Sequence, residues 1–161
     1  LKRNVDNDGP IIGPYGVNKE GSGDMYDKGA LFLNTLRHIV DNDEKWWKIL
    51  LKYSETFHHK IIDTPTVISF FNTETGMNLT PVFDQYLRHA QIPNLELKIT
   101  KGKLQYRWKA DEEQFMMPVT VKIKEKRIRI TPTTTWAASK IKVNSLEEVE
   151  VMTNDFFINV K

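Results

Sequence analysis

The chain has 161 residues, 40% of them hydrophobic and 27% charged, with a net charge of +2 and no cysteine. That is enough chain for one ordinary domain or two small ones, and enough apolar material for a core. It excludes disulfides, thiolate metal sites and a cysteine nucleophile, and the near-balanced charge predicts no strong attraction to nucleic acid or to a membrane surface.

Residues 1–23 carry Gly9, Gly13, Gly16, Gly21 and Gly23 with Pro10 and Pro14, and show no hydrophobic period. Such a segment is expected to be loop, ordered only against a partner surface. Leu1-Lys2-Arg3 leads into polar residues and not into an apolar signal core, and no initiator methionine is present. A piece cut from a longer protein is expected.

The first strong period follows. Met25, Gly29, Phe32, Leu36 and Ile39 form one i, i+4, i+7 stripe, and Tyr26, Ala30, Leu33 and Val40 form its neighbour. The spacing predicts a helix over 24–40 with Asp24 as N-cap, Tyr26 in the first turn, Lys28 on the rim and Gly29 allowing close helix packing. A tyrosine there either sits in the core with its hydroxyl satisfied or faces a cleft at the helix mouth. A second helix is expected from an Asp43 cap, burying Trp46, Leu50, Tyr53 and Phe57, with Trp47 and Leu51 widening the buried face. Thr64-Pro65 and Thr80-Pro81 each predict a short helix with the threonine at N-cap and proline at N1. Gly76 closes the first of these. Four helices on short loops make a helical layer.

After Ile92-Pro93-Asn94 the period changes to two. Leu95, Leu97, Ile99; Leu104, Tyr106, Trp108; Val119, Val121, Ile123; Ile128, Ile130; Ile141, Val143; Val149, Val151; and Ile158, Val160 alternate as in half-buried strands. Lys101-Gly102 predicts a hairpin turn, and Glu125-Lys126 a second one. The predicted fold class is α+β: a helical part over 1–92, then a small antiparallel β-sandwich over 93–161. The charge divides likewise. Residues 1–92 hold 10 Lys and Arg against 12 Asp and Glu, and residues 93–161 hold 13 against 9.

Few residues carry chemistry. His38, His58, His59 and His89 include no i, i+4 pair with a glutamate between them, and adjacent His58-His59 makes a poor chelate, so no metal is expected to bind this chain. No Gly-x-Ser-x-Gly elbow and no phosphate loop is present. Lys122, Lys124, Lys126, Arg127 and Arg129 alternate with apolar residues and are expected on the solvent faces of two strands. No aromatic residues interleave with them, so a nucleic-acid partner is not expected. No apolar run approaches the roughly 20 residues of a membrane span. Compartment stays open, because a cysteine-free soluble chain suits cytoplasm and periplasm alike.

Tyr26-x-Lys28-Gly29-Ala30 opening a helix, followed by Leu33-x-x-Leu36-Arg37, resembles the zinc-dependent aminopeptidases of the aminopeptidase N (membrane alanyl aminopeptidase) family. The likeness extends through Asn7-Asp8-Gly9-Pro10 and Gly13-Pro14-Tyr15-Gly16-Val17-Asn18, and on to Phe83-Asp84-Gln85-Tyr86-Leu87-Arg88. The resemblance implies that residues 1–92 are the helical C-terminal part of a thermolysin-like catalytic domain. It implies a parent enzyme that uses zinc to remove N-terminal residues from peptides, with Tyr26 donating a hydrogen bond to the oxyanion. The family's His-Glu-x-x-His is absent, so this chain alone is expected to be inactive and to bind no zinc. A helical layer cut from a larger domain would also expose an apolar face through which it could dimerise. The alternative is a non-catalytic β-sandwich interaction module on a helical scaffold.

Overall fold

The structure, a computed structural model, describes residues 2–161. After the N-terminal loop come four helices, α1 (Met25–Val40), α2 (Asp43–Phe57), α3 (Thr64–Thr75) and α4 (Thr80–Arg88), each packed on the next. The strands follow as β1 (Asn94–Thr100), β2 (Lys103–Lys109), β3 (Val119–Ile123), β4 (Lys126–Ile130), β5 (Ala137–Lys142), β6 (Val149–Val151) and β7 (Asn159–Val160). They form two sheets, of order β5-β2-β1-β7 and β4-β3-β6. The fold is therefore mixed α+β, as the two periods predict. One pairing departs from an antiparallel arrangement: β7 runs parallel to β1, with Leu95 opposite Val160.

Local chemistry explains the boundaries, often one residue from where the sequence puts them. Asn42, not Asp43, caps α2 by accepting from Lys45 N at 2.9 Å. Asp43 is then free to take Arg37 in a two-pronged pair at 2.8 and 2.6 Å. Asp63, not Thr64, caps α3, leaving the prolines of α3 and α4 just inside their helices, where a missing N–H costs nothing. Gly76 ends α3 at φ 74°, a left-handed conformation that glycine adopts without strain. The β1–β2 turn is Lys101-Gly102, both at positive φ. The second turn is Lys124-Glu125, one residue earlier than expected, with Ile123 opposite Lys126.

One buried cluster joins both halves. It runs from Phe32, Leu36 and Ile39 through Phe71, Phe83 and Tyr86 to Phe157, Leu95, Leu104, Trp108 and Val121. Phe32 stacks on Tyr86 at 4.8 Å and meets Phe83 edge-on at 5.0 Å, geometries that aromatic quadrupoles favour. Trp46 is buried, but Trp47 and Leu51 are exposed, so the second helix buries a narrower stripe than predicted. A Cβ built on Gly29 meets nothing, so that glycine is not required for packing within this chain. In the N-terminal loop a Cβ on Gly21 would collide with the Ile11 carbonyl, and one on Gly13 with that of Lys19. There the glycines let two arms of the loop touch.

The largest departure is Lys28. Expected on the rim, it is 0% exposed. Its Nζ donates to the Ala90 carbonyl at 2.6 Å and the His89 carbonyl at 3.1 Å, clamping the first turn of α1 to the segment between α4 and β1. Burial lowers its pKa from 10.5, and Asp24, Asp111 and Asp8 oppose that shift.

Lys28→Met strips two carbonyls of their donor and should destabilise the chain by about 1–3 kcal/mol, read from urea denaturation. In the alkaline window between the lowered pKa and 10.5 the folded wild-type chain holds fewer protons at Lys28 than the unfolded chain does. Its stability relative to the variant should therefore rise with pH there. Gly21→Ala should cost about 1–3 kcal/mol through forced loop displacement, whereas Gly29→Ala should be neutral or stabilising, since it removes the helix cost of glycine.

Candidate functional site around Tyr26

Tyr26 lies in the first turn of α1 and is 82% exposed. It is not a core tyrosine, which removes one of the two readings its position allowed. It belongs to the stripe Tyr26, Ala30 and Leu33, and all three of these residues are exposed. The buried face of α1 is instead Lys28, Phe32, Thr35, Leu36 and Ile39.

Two buried charged residues hold the turn that carries Tyr26. Asp24, expected as a side-chain cap, makes no capping bond to α1. Its carboxylate instead accepts from the backbone of Asp6 at 3.0 Å and of Asn7 at 2.7 Å, pinning the N-terminal loop. Lys28, one turn on, holds His89 and Ala90. Gln85 extends the arrangement, donating to Gln91 O at 2.8 Å and accepting from Glu112 N at 2.9 Å. The first turn of α1 is thus gripped on its inner side by loop and linker backbone, while its outer side presents a phenol. The i, i+4 spacing of Asp24 and Lys28 was visible in the sequence. That both face inward was not.

A cleft of about 660 Å³ opens between the two arms of the N-terminal loop and α4, with Pro10, Tyr15, Ser22 and Arg88 in its walls. Its polar groups are largely engaged: Tyr15 OH donates to Thr64 Oγ1 at 3.0 Å, Ser22 Oγ to Asp8 Oδ1 at 2.6 Å, and Arg88 Nε to Asp84 Oδ1 at 2.8 Å. Tyr26 does not line it. Among the described residues no three His, Asp or Glu side chains are placed to hold a metal ion. His58 and His59 lie against each other with ring centroids 3.8 Å apart, at the exposed end of α2.

The basic run of β3 and β4 is not the free surface it promised. Lys122 pairs with Glu125 at 2.7 Å and Arg127 with Asp155 at 2.8 Å. Arg129 is turned inward to the last turn of α1, donating to the carbonyls of His38 at 3.0 Å and of Ile39. A cation there also complements the negative end of the helix.

No family model matches the chain, and no curated protein matches it in sequence. Among solved structures, the crystal structure of Legionella pneumophila aminopeptidase A in complex with aspartic acid is similar over 87% of this chain, with a TM-score of 0.70 and 10% sequence identity. The chain spans 18% of that protein's length. At that identity the likeness is one of fold: the four helices and two sheets have the architecture of a stretch of an aminopeptidase.

Proposed function

We propose that this chain is part of a zinc-dependent aminopeptidase, and that Tyr26 is its contribution to catalysis. The observation that carries the reading is an exposed phenol on a turn held by two buried charged side chains, in a chain folded like part of an aminopeptidase. In this reading residues 1–92 complete the catalytic domain and residues 93–161 form a β-sandwich behind it. The substrates are peptides with a free N-terminus.

Among the described residues none are grouped to hold zinc, and in this reading its ligands belong to the rest of the protein. What Tyr26 supplies is one O–H donor, held outward by a rigid turn. Aimed at the oxygen that becomes negative as the peptide carbonyl turns tetrahedral, such a donor binds the transition state better than the ground state. Its preorganisation comes from Asp24 and Lys28, which fix the turn before any substrate arrives. Leu33, Trp47 and Leu51 on the outer side of α1 and α2 are exposed, which supports further protein packing there in the whole enzyme.

The test uses the longest protein containing this sequence, assayed on aminoacyl p-nitroanilides. Tyr26→Phe should lower kcat about 100–1000-fold, with KM little changed, matching the loss of one oxyanion donor. Unchanged turnover would return Tyr26 to an ordinary surface residue and favour the interaction-module alternative. The 161-residue chain by itself should show no turnover, and chelator-sensitive hydrolysis by it would overturn the assignment of zinc to the rest of the protein.

A further inference from the structure

A concentration of unpaired positive charge lies on the sheet the sequence did not single out. In β1 and β2, Leu95, Leu104 and Trp108 point inward and are buried. The alternate residues Lys98, Lys103, Arg107 and Lys109 therefore share the outer face. β5 adds to it. Lys142 stands directly opposite Lys103 in the antiparallel register, and Lys140 is exposed two residues before it. The only carboxylate among these rows is Glu96, and Arg107 neutralises it at 2.6 Å. Among the described residues Lys98, Lys103, Lys109, Lys140 and Lys142 have no carboxylate within 4.0 Å. On β3, β4 and the turn between them, by contrast, Lys122, Lys124, Arg127 and Arg129 each face an acid and Lys126 alone of the run does not.

Two lysines directly opposite across a strand pair repel, and nothing within the fold relieves them. An anionic partner would. The chemistry of the face narrows the choice of partner. Five of its six cations are lysines, strongly hydrated point charges without the planar fork that reads individual phosphates. The one arginine is already committed to Glu96. Trp136 lies at the edge of the array, but Lys98 Nζ sits 3.8 Å from its ring centroid and Arg107 4.8 Å away. Its ring is occupied and offers no bare platform for a nucleobase. A plane of lysines over adjacent strands, about 4.8 Å apart, matches a plane of negative headgroups better than a single threaded polyanion.

We propose that the outer face of the β5-β2-β1-β7 sheet docks on anionic phospholipid surfaces, holding the protein peripherally at a membrane. Each lysine brought to the headgroups adds to a diffuse, salt-sensitive attraction. This is independent of the role proposed for Tyr26.

The test is co-sedimentation of the longest protein containing this sequence with vesicles of phosphatidylcholine alone and of phosphatidylcholine with one third phosphatidylserine, at low and high salt. Binding should appear only with phosphatidylserine and vanish at high salt. Lys103→Glu with Lys142→Glu should weaken it about 30-fold or more. Lys60→Glu with Lys126→Glu, an equal change of net charge elsewhere, should leave most of it, with circular dichroism showing both variants folded. No binding to the anionic vesicles, equal binding to neutral ones, or equal loss in both double variants would overturn the proposal. Tighter binding to a single-stranded oligonucleotide, lost in the same Lys103/Lys142 variant, would assign the face to nucleic acid instead.

Discussion

The structure depends on three residues near its C-terminus, Phe156-Phe157-Ile158. All three are buried, and the chain that carries them brings backbone polar groups into an apolar interior, where each must find a partner. The helices provide those partners. Thr35 Oγ1, on α1, accepts from Phe157 N at 2.9 Å, and Tyr86 OH, on α4, donates to Phe157 O at 2.7 Å. Thr35 in turn donates to Leu31 O at 2.9 Å, so its hydroxyl both accepts and donates. Burial pushes the Tyr86 phenol pKa up, which keeps it a neutral donor. The segment then enters β7 beside β1, with Lys161 N donating to Leu95 O at 2.9 Å. One stretch of chain thereby ties the helical layer to the first sheet, and the two halves share one core.

That tie sets where α1 can be, and α1 sets where Tyr26 is. The far end of α1 is held by Arg129, which reaches from β4 to the helix's final carbonyls. The near end is held by Lys28 and Asp24. A helix fixed at its start, middle and end by long-range polar contacts is well suited to present one exposed side chain at a constant angle. Position is what a hydrogen-bond donor needs if it is to act on charge that exists only in a transition state.

The charges show the same division of labour. Cations near the helices are spent on structure: Lys28 on two carbonyls, Arg129 on two more, Arg37 on Asp43 and Arg127 on Asp155. The lysines on the outer face of the other sheet have no such carboxylate partner. A net charge of +2 for the whole chain conceals this, because a sum says nothing about where the unpaired members lie.

Much of this was determined by the sequence alone. Period 3.6 before Ile92 and period two after it mark the four helices and most of the strands, because each element must bury one side and local periodicity records which side that is, although β5 begins at Ala137, ahead of the alternating Ile141 and Val143. Gly76 and Lys101-Gly102 mark their turns for the same local reason, a positive φ that few residues tolerate. Only the tertiary structure decided that Lys28 is buried, that Trp47 is exposed beside a buried Trp46, that Asp24 serves the loop and not the helix, and that Arg129 turns inward. Each of these depends on what lies opposite the side chain. Lys28 meets carbonyls 61 and 62 residues away, and Arg129 meets carbonyls 90 and 91 residues away. A pattern within one helix or strand carries no information about surfaces that the fold brings from elsewhere. For the same reason the sequence could point to a run of basic residues, and only the paired strands could show which of them remain free to meet a partner.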